Sequence, residues 1–215
     1  DGMAVLNHDD PRVRAMAGRS RAGIITFGLE PGADLSGRVV DVSPAGTRLE
    51  ATWRGETVPL TIPLIGGHHA YTALAAAAVG LVHHLSWDEI ARGLLRVQPM
   101  PGRTRLLEGP NGSHILDDSY NASPASALVA LETLRALPAR RRVVLLGDMA
   151  ELGEYAREGH RQVGRRCAEV ADYLVTKGDL ARVAGEAAVD AGLPPDRLRI
   201  TYSASDAAHA IADLA

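Results

Sequence analysis

Apolar runs bounded by polar residues predict two buried strands near the start of the chain. Met3–Asn7 ends in polar residues, and Gly23–Gly28 forms the next apolar run. Between them Asp10 precedes Pro11, a combination that is typical of a capped helix start. The pattern therefore predicts strand, helix and strand over residues 1–28, as in a parallel sheet.

From residue 34 to residue 64 apolar and polar positions alternate. A period of two is typical of strands with one buried and one solvated face, so this stretch predicts an antiparallel meander. An alanine-rich helix over residues 66–85 follows, and a second helix is predicted from Ser86 to residue 97. The Pro-Met-Pro-Gly sequence at residues 99–102 then predicts a domain boundary near residue 101.

The remaining sequence alternates strand-like and helix-like segments. Strands are predicted at residues 114–118, 143–147, 173–176 and 199–202, helices separate them, and Ser205 begins the last helix. Alternation of this kind predicts a doubly wound parallel sheet with ligands at the carboxyl ends of its strands. The expected fold class is α/β, with one domain over residues 1–101 and a second over residues 102–215.

Composition narrows the functional class. The 215 residues carry a formal net charge of −3 and are 46% hydrophobic, which indicates neither nucleic-acid binding nor membrane attachment. The single cysteine excludes an internal disulfide and fits the cytoplasm. Lys177 is the only lysine and lies outside any G-x-x-x-x-G-K-S/T sequence, so the chain has no P-loop. We expect a cytoplasmic protein without a nucleic-acid partner, a membrane partner or a metal-ligand set.

Two polar groups of residues flank the predicted boundary and the strand that follows it. Asp118, Tyr120 and Asn121 come after that strand, where a carboxylate accepts ribose hydroxyls and its neighbours reach a base or phosphate. The same residues equally fit a helix cap. Arg103 follows Pro-Gly and is either a phosphate ligand or a solvated linker residue.

A third polar group follows the strand predicted at residues 143–147. Its carboxylates, Asp148 and Glu151, either hold an ammonium group or stabilise the amino end of the following helix. Among the histidines, His68 lies in a loop after two glycines, and its neighbour His69 points in a different direction, so the two do not chelate a metal. His160 belongs to a polar helix and is expected at the surface.

In their order along the chain these segments resemble the Mur ligases, the ATP-dependent enzymes that form amide bonds in peptidoglycan precursor synthesis. The resemblance rests first on V-L-N-x-D-D-P at residues 5–11, G-H before the alanine-rich helix and P-G-R at residues 101–103. Three more motifs are D-D-S-Y-N-A-x-P at 117–124, L-G-D-M-x-E-L-G at 146–153 and H-x-x-V-G at 160–164. These three are similar to the branch that adds D-alanyl-D-alanine to UDP-N-acetylmuramoyl-tripeptide.

The resemblance implies the later part of a central ATPase domain, with parallel strands, meander and helices, followed by a Rossmann-like doubly wound C-terminal domain. It implies that the family's P-loop and metal-binding residues precede residue 1 and that its last strand follows residue 215. The implied cofactors are ATP and Mg²⁺, and the implied substrates are UDP-N-acetylmuramoyl-tripeptide and D-alanyl-D-alanine. A monomer is expected, and the chain by itself is expected to lack ligase activity.

Roles for matching positions also follow from the resemblance. Asp118 is expected to bind the ATP ribose, and Arg103 is expected to contact the γ-phosphate from the hinge. The other expected nucleotide-site residues are Tyr120, Asn121, His68, Asn7 and Asp9. Asp148 and Glu151 are the candidates for holding the ammonium group of the dipeptide.

Three positions depart from the family pattern, and Ser123, in place of the second asparagine of a Y-N-A-N-P stretch, is the milder change. His69 and Thr72 stand where the family has asparagines, which changes the side chains available to adenine. Two alternatives therefore stay open beside the dipeptide-adding ligase. One is another Mur-type ligase that adds a single amino acid, and the other is a non-catalytic nucleotide-binding module.

Overall fold

The computed structural model describes residues 2–214, in two units that divide between Pro99 and Met100. The first unit contains a five-stranded sheet whose strands stand in chain order. Its strands are β1 (Met3–Asn7), β2 (Gly23–Gly28), β3 (Leu35–Ser43), β4 (Gly46–Trp53) and β5 (Glu56–Ile62). Its helices are α1 (Pro11–Ala15), α2 (His69–Val82) and α3 (Trp87–Leu94).

Strand pairing changes once across this sheet, from parallel to antiparallel. β1, β2 and β3 pair in parallel, whereas β3, β4 and β5 pair antiparallel through short turns. Asp10 caps α1 by accepting hydrogen bonds from the N–H groups of Arg12 and Val13, and Pro11 is the first residue of the helix. The predicted strand–helix–strand start and the predicted meander are both confirmed.

Small side chains let α2 approach the sheet closely. Ala70, Ala73, Ala77 and Leu74 are fully buried. Gly37 on β3 leaves room for Leu74, because an added Cβ there would lie 2.6 Å from the Leu74 Cδ1 atom. The core of the first unit therefore lies between α2 and the sheet.

The second unit contains five strands and four helices among residues 100–214. Its strands are β6 (Arg105–Glu108), β7 (His114–Asp117), β8 (Val143–Gly147), β9 (Tyr173–Lys177) and β10 (Leu198–Thr201). Its helices are α4 (Pro124–Ala136), α5 (Ala156–Val170), α6 (Asp179–Asp190) and α7 (Ala204–Ala212).

Three of these strands form a parallel sheet in the order β10-β9-β8, while β6 and β7 form a separate antiparallel ribbon. The α/β fold class is confirmed. In the part of the chain that is described, however, the strand predicted at residues 114–118 pairs with β6 and not with the parallel sheet. The short turn at Pro110–Gly112 places β6 directly beside β7, so β7 pairs with its neighbour in sequence.

Helix α5 and helix α6 connect the parallel strands and pack against each other. Gly164 makes this packing possible, because an added Cβ there would overlap the carbonyl oxygen of Ala184. The buried residues of both helices, with those of β8 and β9, form the core of the second unit. The carboxyl ends of β8 and β9 therefore lie beside each other above this core, in the register Gly147 to Lys177.

Several helix ends differ from their predicted positions. Helix α2 begins at His69, because the residues before it form a turn in which Gly66 has a φ of +130°. Helix α3 ends at Leu94, short of the predicted end at residue 97. Helix α7 begins at Ala204 because Ser203, and not Ser205, accepts the hydrogen bond that caps it. Across residues 2–214, none of the helices has the length and apolar composition needed to cross a bilayer.

Candidate functional site

Asp9 joins three elements of the first unit just beyond the end of β1. Its carboxylate accepts hydrogen bonds from the Leu29 N–H at 2.7 Å, the Glu30 N–H at 3.2 Å and the Tyr71 hydroxyl at 2.8 Å. The Asn7 side-chain oxygen accepts the Asp9 N–H at 3.0 Å. The two predicted residues, Asn7 and Asp9, are thus brought together with the loop after β2 and with α2.

The charges of this group depend on one another. Partial burial opposes ionisation of Asp9, but hydrogen bonds from Leu29, Tyr71 and Glu30 outweigh it and hold the pKa of Asp9 below its ordinary value. Burial, together with the hydrogen bond to Asp9 and its negative charge, raises the pKa of Tyr71 to about 12. The carboxylate is therefore ionised and Tyr71 donates to it. Gly28 is required beside Asp9, because an added Cβ there would overlap the carboxylate.

An open depression of about 440 Å³ lies at this end of the sheet, and Asn7, Asp9, Asp10, Pro11, Arg12 and Tyr71 line it. Of these, only Asn7 and Asp9 were expected from the sequence as site residues. Tyr71 lies in the alanine-rich helix, where an aromatic residue is most simply a core residue, so no sequence signal singled it out. The depression offers a carboxylate, an amide and a guanidinium group to a polar ligand.

His68 and His69 lie at the start of α2 with their ring centroids 4.0 Å apart and their planes tilted by 40°. Burial and the neighbouring His68 lower the pKa of His69 to about 4, so this ring is neutral near pH 7. Within residues 2–214 the His69 Nε2 atom is buried and has no hydrogen-bond partner. A buried ring nitrogen without a partner is costly in a folded protein and fits a site completed by a ligand.

In the second unit Arg103, Tyr120 and Asp118 form one cluster. The Arg103 guanidinium carbon lies 4.3 Å from the centroid of the Tyr120 ring, which is 73% exposed. Asp118 Oδ1 accepts hydrogen bonds from the Thr104 N–H at 2.9 Å and from the Thr104 hydroxyl at 3.2 Å. The cap of α4 is supplied by Ser123, so Asp118 does not cap this helix.

Backbone contacts hold this cluster together. Gly102 has a φ of +69°, its N–H donates to Asp117 at 3.1 Å, and its carbonyl oxygen accepts the Tyr120 N–H at 3.2 Å. A hydrogen bond from the Ser119 hydroxyl is the largest influence that lowers the pKa of Asp117. Asn121 is exposed, and its side-chain oxygen accepts only the adjacent Ala122 N–H in the part of the chain that is described. Asp117 and Thr104 are supporting residues that motif position alone did not reveal.

The loop between β8 and α5 carries the third group of candidates. Asp148 is exposed, and its Oδ1 atom accepts the Ala181 N–H at 2.7 Å, which caps α6 and not the following helix α5. Glu151 is exposed and has a φ of +61°, a conformation that residues other than glycine rarely adopt. The structure thus places both predicted carboxylates in one loop, at the carboxyl edge of the parallel sheet.

His160 is fully buried, which contradicts its expected surface position. Its Nε2 atom accepts the Met149 N–H at 2.9 Å, and its Nδ1 atom is 2.7 Å from the Ala156 carbonyl oxygen. The expectation was wrong because the polar sequence around His160 hid its spacing. His160, Val163, Gly164 and Cys167 follow the three- and four-residue spacing of one buried helix face.

Across residues 2–214, no group of three or more His, Cys, Asp or Glu side chains converges to hold a metal ion. In the second unit the cluster offers a guanidinium group, an exposed aromatic ring and a carboxylate to a nucleotide. In the first unit the start of α2 offers an unpartnered ring nitrogen of His69.

Two family models match this chain. One, described as the Mur ligase middle domain, matches residues 1–80, and the other, described as the Mur ligase glutamate ligase domain, matches residues 102–215. A D-alanyl-D-alanine-adding UDP-N-acetylmuramoyl-tripeptide ligase from Synechocystis is 35% identical over 77% of this chain and 34% of its own length. A UDP-N-acetylmuramoyl-L-alanyl-D-glutamate–2,6-diaminopimelate ligase from Geobacillus thermodenitrificans is 32% identical over 78% of this chain and 34% of its own length.

Solved structures agree with these matches. MurF from Acinetobacter baumannii superposes with a TM-score of 0.85 at 25% identity, over 99% of this chain and 45% of that one. MurF from Thermotoga maritima in complex with ADP has the same fold, with a TM-score of 0.80 at 23% identity over all of this chain and 48% of that one. The chain spans about a third of the length of the curated relatives that it matches. With its second family model covering more than half of its residues, the chain belongs to the Mur ligase family.

Proposed function

We propose that this chain supplies nucleotide-binding and amine-binding residues of an ATP-dependent ligase that joins D-alanyl-D-alanine to UDP-N-acetylmuramoyl-tripeptide. The observation that carries the proposal is the Arg103–Tyr120–Asp118 cluster. A nucleoside triphosphate needs a cation for its phosphates, and its ribose hydroxyls need an acceptor. This cluster offers both beside an exposed aromatic ring.

The proposed nucleotide contacts are assigned residue by residue, beginning with the second unit. Asp118 Oδ1 is occupied by Thr104, while its Oδ2 accepts no hydrogen bond in the part of the chain that is described, so Oδ2 is assigned to the ribose. Arg103 offers a planar guanidinium group that matches the geometry of phosphate oxygens, and it is assigned to the γ-phosphate. The remaining proposed contacts, in lesser roles, are Tyr120, Asn121, His68, Asn7 and Asp9.

The proposed chemistry is activation of a carboxylate followed by attack of an amine. Transfer of the γ-phosphoryl group from ATP to the tripeptide carboxylate gives an acyl phosphate and ADP. The dipeptide ammonium group then loses a proton, and the resulting amine attacks the carbonyl carbon, so that an amide forms and phosphate leaves. Arg103 offsets the negative charge that moves with the phosphoryl group, and Asp148 and Glu151 hold the amine substrate through its ammonium group before attack.

A second candidate is the ligase that adds diaminopimelate to UDP-N-acetylmuramoyl-L-alanyl-D-glutamate. The near-equal identity of this chain to an enzyme of that name favours it. The two reactions share the acyl-phosphate chemistry and differ in the amine and in the acceptor. The residues of the loop at 147–153 are therefore the ones on which the choice depends.

The experiment for this proposal measures phosphate release by the complete product of the gene, with UDP-N-acetylmuramoyl-tripeptide, Mg-ATP and D-alanyl-D-alanine. We expect Arg103→Ala to lower kcat about 100-fold, because it removes a charge that acts mainly in the transition state. Arg140→Ala, which removes an exposed cation of the same unit, is the matched control and should leave kcat within about twofold. Equal activity of the two variants would contradict the role of Arg103.

A further inference from the structure

His160 is a buried titratable side chain that the proposed chemistry does not use. Its two ring nitrogens face groups of fixed character, the Met149 N–H and the Ala156 carbonyl oxygen. A backbone N–H only donates and a carbonyl oxygen only accepts, so Nδ1 carries the proton and Nε2 is the acceptor. The ring is therefore a neutral bridge between α5 and the loop that precedes it.

This bridge acts on a loop that is anchored at successive residues. Met149 is fastened to His160 by its N–H and buries its side chain, which is 1% exposed. Asp148, one residue earlier, is fastened to α6 through the Ala181 N–H. The loop is thus tied to both helices before it reaches Glu151.

The hydrogen bonds that anchor the loop affect the backbone conformation of Glu151. A non-glycine residue at a φ of +61° is strained, and such a conformation persists when the surrounding structure fixes it. Without an acceptor at residue 160 the Met149 N–H would be left buried without a partner, a cost that favours release of the loop into water. Release would let Glu151 relax to an ordinary conformation and point elsewhere.

We infer that His160 is a positioning residue for the amine site, which holds Met149 so that Glu151 and Asp148 stay directed at the amine substrate. The inference rests on the proposed function. His160 does not touch the substrate and acts only through the loop. Its loss should therefore weaken use of the amine substrate and leave use of ATP almost unchanged.

The test compares three variants of the complete gene product. His160→Leu keeps the bulk of the ring but removes the acceptor, His160→Gln restores an acceptor and a donor, and Cys167→Ala removes a buried side chain from the same helix face. We expect His160→Leu to raise KM for D-alanyl-D-alanine about tenfold or more with KM for ATP within about twofold. His160→Gln should recover most of this loss, and Cys167→Ala should cause neither change. Equal KM values for the amine in His160→Leu and Cys167→Ala would overturn the inference.

Hydrogen exchange gives a second readout that a general loss of stability would not reproduce. Peptides covering residues 147–153 should exchange about tenfold faster in His160→Leu than in Cys167→Ala when both are compared at equal overall stability. Unchanged exchange would overturn the inference. If the wild-type enzyme does not use the dipeptide, the proposed function fails, and the same KM comparison with the amine it does use decides the role of His160.

Discussion

At the scale of single residues, the half-buried ring of His69 shows how one side chain connects stability to the site. Its ring nitrogen Nε2 is buried without a partner in residues 2–214, and the pKa of the ring is lowered to about 4. The family resemblance implies an asparagine at this position. A neutral imidazole offers one donor and one acceptor, the two kinds of group that hydrogen-bond a nucleotide base.

We predict that His69 makes the stability of the first unit depend on pH. In the unfolded chain the ring takes up a proton near pH 6.5, but in the folded chain only near pH 4. The folded state is therefore favoured fully above pH 6.5, and this contribution is lost as the pH falls toward 4. We expect a loss of about 1–2 kcal/mol, after allowance for the partial exposure of the ring.

Urea unfolding followed by tryptophan fluorescence measures this effect selectively, because both tryptophans, Trp53 and Trp87, precede residue 99. His69→Asn is the comparison variant, since it removes the titrating ring and leaves all other titratable side chains in place. When the pH falls from 7 to 4.5, the free energy of unfolding should decrease more in the wild type than in His69→Asn. Parallel pH profiles would show that His69 is not buried as described.

At the scale of elements, the loop after β8 organises two helices at once. Asp148 caps α6 from a different element, and Gly178 at the start of α6 has a φ of +116°. An added Cβ at Gly178 would also overlap the Asp148 carboxylate. The loop and the start of α6 are therefore shaped for each other, and a change in one is expected to disturb the other.

Asp148 caps α6 and is also a proposed amine-binding carboxylate, and two substitutions distinguish these two roles. Asp148→Ala removes the acceptor for the Ala181 N–H and should lower the stability of the second unit by about 1 kcal/mol. Asp148→Asn keeps an acceptor and should cost much less, yet it should raise KM for the amine substrate because the charge is gone. Unfolding followed by circular dichroism measures the loss of stability, and the rate of phosphate release measures KM for the amine substrate. Equal destabilisation by both variants would argue against the capping role.

The same elements show what the sequence allowed us to predict. Alternating and apolar runs gave the strands of the first unit correctly, because the side-chain period of a strand is independent of its partners. The pairing of β7 with β6 was missed, since periodicity does not show which strand a neighbour will be. The burial of His160 was missed because its partner, Met149, belongs to another element, although the spacing from His160 to Cys167 carried the signal.

At the scale of the whole molecule, the candidate residues fall into separate groups on two units. The order of the motifs indicated Arg103, Tyr120 and Asp118 as candidate residues. The structure places these three in one cluster. The supporting contacts of Thr104, Asp117 and Gly102 depend on a backbone approach that no motif encodes. Family membership is shown over most of the chain, whereas the choice of amine substrate is the central claim that a direct measurement must decide.

That measurement is a competition in one reaction. The complete gene product is supplied with Mg-ATP and with two acceptors, UDP-N-acetylmuramoyl-tripeptide and UDP-N-acetylmuramoyl-L-alanyl-D-glutamate. D-alanyl-D-alanine and diaminopimelate are present at equal concentrations. The products are identified by mass spectrometry. We predict that only the tripeptide acceptor gains mass, by that of one dipeptide less one water. Addition of diaminopimelate to UDP-N-acetylmuramoyl-L-alanyl-D-glutamate would contradict the dipeptide assignment.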